Sequence, residues 1–161
     1  MSFWNFLTDV ESWTGSAAWT GSEGHPAGCL SGGNGFDQGR VVSIVTVDTD
    51  PCSMWYRVKS TTDDSLAAGT IIVRLSANAV TRLEVEIEIA VEQAGLPYDT
   101  GWLKTSGLLA NETVTGLSIV TDAGTSNGYT VYVDTVYVAE AEPGGSEFTH
   151  SAGGVPGAVM I

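Results

Sequence analysis

The stretch "RLEVEIEIAV", residues 82–91, decides how this chain folds. Leu83, Val85, Ile87 and Ile89 alternate strictly with Glu84, Glu86 and Glu88. On a strand that spacing puts every apolar side chain on one face and every carboxylate on the other. A helix would scatter the same residues around its axis, and the β-branched residues among them weigh against one. The segment therefore reads as a half-buried strand with one wet face. Its three aligned carboxylates repel one another unless adjacent strands carry bases, and Arg57, Lys59 and Arg74 lie on the candidate neighbours.

Working outward, similar runs recur between Gly, Asn, Asp and Pro. They are "FWNFLT" (3–8), "AGCLSG" (27–32), "GRVVSIVTV" (39–47), "SMWYRVKST" (53–61), "GTIIVRLSA" (69–77), "GWLKTSG" (101–107), "TGLSIVTD" (115–122) and "YTVYVDTVYV" (129–138). With residues 82–92 they make nine short strands, the signature of an all-β, antiparallel two-sheet sandwich or jelly roll. Twenty glycines, five tryptophans and five tyrosines in 161 residues agree with pleated strands joined by tight turns. No period repeats along the chain, which sets aside a solenoid or propeller. The expected division is one domain over 1–139 and a Gly-rich tail over 140–161.

Six basic against nineteen acidic residues give a formal charge of −13. Such a surface repels phosphate backbones and anionic lipid, so nucleic-acid and membrane-surface binding are excluded as expectations. No apolar run approaches the ~20 residues of a membrane-spanning helix. "MSFWNFLTDVESW" has no basic leader, apolar core or small-residue cleavage site, so no secretion signal is expected and the chain reads as made in the cytosol. Cys29 and Cys52 read as two buried thiols, with a disulfide as the alternative.

Catalytic signatures are sparse. His25 sits in a turn and His150 in the tail, no nucleophile elbow is present, and the Gly-rich segments lack the Lys and following helix of a phosphate cradle. The chain reads as non-enzymatic, with a small hydrolase on a jelly-roll scaffold as the minor alternative.

Three places carry a resemblance. "FLTDVESWTG", "CSMWYRVKS" and "YTVYVDTVYVAE" are similar to the early, middle and last strands of jelly-roll carbohydrate-binding modules and their galactose-binding-like relatives. The resemblance implies a structural calcium between first and last strands, with Glu11 and Asp134 in the matching positions and backbone carbonyls and water completing the shell. A carboxylate inside the apolar run of residues 129–138 is costly unless a cation or several donors satisfy it. The alternative for Asp134 is an outward-facing carboxylate or one capping nearby N–H groups. The resemblance also implies a glycan platform. Trp55, with the parity of Arg57 and Lys59, is its first candidate, Tyr98 and Trp102 come next, and Trp19 lies in a Gly/Ser-rich loop. Each of these rings could equally serve as packing.

Jelly rolls of this size also serve bacteriophages as virion accessory proteins, assembled in the host cytoplasm. The first functional expectation is accordingly a capsid decoration protein on the virion, bound to the major capsid protein or another virion protein, forming a homo-oligomer, with a host glycan as a further partner. The second is a carbohydrate-binding module. The tail separates them: it ends in Val155, Pro156, Ala158, Val159, Met160 and Ile161, apolar residues that gain from burial against a partner, and Val155, Val159, Met160 and Ile161 are the expected partner contacts.

Overall fold

The computed structural model describes residues 3–6, 9–24, 27–33, 35–60, 67–122 and 128–140. Both histidines and the four tail residues expected to meet a partner, Val155, Val159, Met160 and Ile161, lie outside the described residues. The strands are β1 (Phe3–Trp4), β2 (Thr14–Gly15), β3 (Ala18–Gly24), β4 (Ala27–Gly32), β5 (Asp37–Val45), β6 (Pro51–Ser60), β7 (Gly69–Ala77), β8 (Val80–Ile89), β9 (Tyr98–Asp99), β10 (Leu103–Leu108), β11 (Thr113–Asp122) and β12 (Thr130–Val138). A single 3₁₀ turn, Val91–Gln93, is the helical element among the described residues.

Two antiparallel sheets face each other. One runs β10-β6-β12-β4-β3, with β1 added beside β12 and β9 beside β6; the other runs β2-β5-β11-β7-β8. Alternation builds the core between them. Met54, Tyr56 and Val58 of β6 and Val131, Val133 and Val136 of β12 turn inward against Ile71, Val73 and Leu75 of β7 and Leu117 and Ile119 of β11. Each fully buried Val, Leu or Ile side chain contributes roughly 1.5–3 kcal/mol relative to exposure. Trp4, Phe6 and Trp13 close one part of the core, with Trp13 meeting Trp4 edge-on at 5.6 Å and Phe6 at 6.0 Å between ring centroids.

Residues 82–89 behave as their period requires. Leu83, Ile87 and Ile89 are buried, Val85 packs against the core, and Glu84, Glu86 and Glu88 are exposed. Arg74 of β7 lies opposite Glu84 and pairs with it. Arg57 and Lys59 belong to the other sheet and cannot neutralise this ladder, which corrects the expectation that all three bases serve it. Strands β2, β3 and β9 are additions to the nine expected. The segment of β3, "AWTGSEG", is poor in β-formers, and pairing with β4 holds it extended in spite of its composition. Cys29 and Cys52 are both buried and free.

Candidate functional site

Parity sets what the outward face of the seven-stranded sheet presents. Where β6 buries Met54, Tyr56 and Val58, it turns Trp55, Arg57 and Lys59 outward, half-buried. Register brings the rest. Lys104 of β10 stands beside Trp55, Tyr132 of β12 beside Arg57, and Asp99 of β9 beside Lys59.

Arg57 is the hub. Its Nε donates to Asp99 Oδ1 at 2.8 Å, its Nη2 donates to Asp99 Oδ2, and its Nη1 donates to Glu23 Oε2 at 2.9 Å. Lys59 Nζ donates to the other Glu23 oxygen, Oε1, at 3.0 Å. The Gly101 N–H donates to Asp99 Oδ1 at 2.8 Å. The hydrogen bond from Arg57, the largest effect, and that from Gly101 hold the Asp99 carboxyl below its ordinary value against the opposing effect of burial. A bidentate guanidinium shared between two carboxylates fixes all three groups.

Glu23 reaches the hub because β3 breaks register between Thr20 and Gly24. Gly24 there has φ +103, and a Cβ on it would lie 2.5 Å from the Gly28 carbonyl oxygen, so only glycine fits beside Glu23. The Trp55 ring has the Lys104 ammonium 5.9 Å from its centroid, near the outer limit of a cation–π contact. Tyr132, whose phenol burial pushes up, supplies a second aromatic.

Asp134 occupies a bulge. The β12–β6 register passes from Val133 opposite Tyr56 to Thr135 opposite Trp55, so Asp134 is the extra residue. It also falls between the ladder to β4, which covers Val131–Val133, and the ladder to β1, which covers Val136–Tyr137. Asp134 is 1% exposed, and its charge adds to the burial that pushes the Cys29 thiol up to about 12. The bulge takes Asp134 out of the regular alternation of its strand.

Glu11 sits in a turn with φ +47. Burial, the largest effect, and the neighbouring Asp9 charge raise its pKa, against the Asn5 and Phe6 backbone amides from which its carboxylate accepts and the Arg40 charge. Among the described residues no three His, Cys, Asp or Glu side chains cluster as a metal centre.

Of the other expected platform residues, Trp102 is 8% exposed and Tyr98 packs against the core, so neither offers an open ring face. Trp19, 39% exposed, lies across Gly21 and donates its Nε1–H to the Phe6 carbonyl at 2.8 Å. Tyr132, Lys104, Glu23 and Asp99 are the members that sequence reasoning missed. Parity within "YTVYV" marks Tyr132; nothing local marks the others.

No family model matches the chain, and no curated protein does. Solved structures do. The K1 cleaved adhesin domain of Lys-gingipain from Porphyromonas gingivalis W83 superimposes with a TM-score of 0.56 at 11% identity, covering 88% of this chain and 98% of that one. A carbohydrate-binding module with specific mannan recognition superimposes with a TM-score of 0.53 at 13% identity, covering 86% and 95%. The fold is the β-sandwich jelly roll of carbohydrate-binding modules and adhesin domains.

Proposed function

We propose that this chain is a non-catalytic glycan-binding module whose ligand lies on the outward face of the seven-stranded sheet. The observation that carries the reading is the alignment of Trp55 and Tyr132 with the fixed Arg57–Asp99–Glu23–Lys59 hub on one sheet face. A sugar ring has an apolar C–H face and a rim of hydroxyls. The first suits an aromatic ring and the second suits oriented carboxylates and guanidinium. The cation–π contact of Lys104, worth about 0.5–1 kcal/mol at an exposed site, is weak enough to yield to a stacking sugar. The role on a virus particle expected from the sequence finds no support in the fold or in the similar structures, which favour the binding-module reading. Any structural calcium is held, on this proposal, by Glu11 and Asp134, with backbone carbonyls and water completing the shell. Native affinity electrophoresis in gels containing soluble mannan, xylan or galactan tests the function: retardation in at least one polysaccharide is expected, and unchanged mobility in all of them overturns the reading.

A further inference from the structure

Every β-sandwich has sheet edges, and three of the four here are guarded. β8 carries Glu84, Glu86 and Glu88, β10 carries Lys104, and β3 carries Glu23. The fourth is β5. On its outer side β2 covers only Gln38 and Gly39, leaving Arg40 to Val45 without a strand partner among the described residues. Residues 41–47 read "VVSIVTV", with no charge and no proline, in a chain of net charge −13. Val41 is 89% exposed, Val45 76% and Val47 52%. A register shift between Val114 and Gly116 interrupts the β11 side of this strand, yet places no charge on its open edge.

From these observations we infer that β5 is the surface through which two copies of this chain associate, edge to edge and antiparallel. The occupant follows from the sequence of the strand. "VVSIV" is nearly palindromic about Ser43: in an antiparallel self-pair Val41 faces Val45 of the second copy, Val42 faces Ile44, and Ser43 faces Ser43. Such a contact is isologous and closes on itself as a two-fold dimer. A groove of about 500 Å³ beside β2, lined by Ser12, Thr14, Gly39, Arg40 and Val41, borders the same edge. Electrostatics select this surface as well, since like charges oppose contact over most of a strongly acidic molecule and are absent from Val41 to Val47.

Sedimentation velocity of the full chain across a range of concentrations tests the inference. A monomer–dimer equilibrium is expected. Ser43→Lys sets two ammonium groups against each other at the symmetry axis and should weaken association about tenfold or more, while its melting temperature stays near that of the parent because Ser43 is exposed. Ser43→Cys should form a disulfide-linked dimer on mild oxidation, because directly opposed residues of antiparallel strands have the spacing a disulfide needs. Val91→Cys, also exposed but off this edge, should not. The inference is overturned by a monomer at every concentration, by self-association that Ser43→Lys leaves intact, by crosslinking of the two cysteine variants at equal rates, or by association that requires residues 151–161 and not β5.

Discussion

Trp55 faces outward because the residues on either side of it, Met54 and Tyr56, are claimed by the core, and the bulge at Asp134 sets Thr135 opposite it. The charged groups beside it answer to pH in opposite senses from Glu11. Asp99 is held below its ordinary 3.8, chiefly by Arg57, so its ionised form contributes stability that is complete above that value and is lost as pH falls through the folded one. Acid melting curves should show this sensitivity reduced in Asp99→Asn. Glu11 is raised above its ordinary 4.5 by burial; its contribution is present below that value and is lost as pH rises through the folded one, so Glu11→Gln should lose less stability over that rise than the parent does. For Asp134, melting in chelator and in millimolar calcium is decisive: a calcium-dependent rise that Asp134→Asn abolishes supports the proposed ion, and identical curves remove it. At this scale the sequence exposed only part of the site. Parity marks Trp55, Arg57 and Lys59 from one strand, whereas Glu23 and Asp99 reach Arg57 across separations of 34 and 42 residues that no local pattern encodes.

Strands of strong alternation were legible to within a few residues. β4 and β7 coincide with "AGCLSG" and "GTIIVRLSA", and β8 shows its wet and dry faces as read. Legibility failed where pairing overrides composition, as in the two-residue strands β2 and β9 and the Gly/Ser-rich β3. Such segments are held by a neighbour and carry little β-preference of their own. The distinction is measurable. Ile119→Ala, in the middle of β11 and fully buried, should cost about 2–5 kcal/mol in denaturant unfolding. Glu86→Ala, on the exposed face of β8, should stay within about 0.5 kcal/mol of the parent. Gly15 is the exception among the short elements: at φ +152 its Cβ would lie 1.9 Å from the Asp37 carbonyl oxygen, so Gly15→Ala should detach β2 from β5 and lower the melting temperature.

Across the whole molecule, charge is unevenly spent. Three of the six bases, Arg57, Lys59 and Lys104, gather on the face that also holds Trp55 and Tyr132, in a protein of net charge −13. The opposite sheet turns out the glutamates of β8 and the uncharged Val41–Val45 segment of β5, so the proposed glycan and self-association surfaces occupy different sheets. Ser43→Lys should therefore leave polysaccharide retardation unchanged, and a loss of both activities together would contradict that separation. The most direct measurement of the central claim is isothermal titration calorimetry of the parent and Trp55→Ala with the polysaccharide that retards the parent most. The account predicts saturable binding by the parent, its loss or severe weakening in Trp55→Ala, and retention of the parent's melting temperature to within a few degrees; equal binding by the two proteins would contradict it.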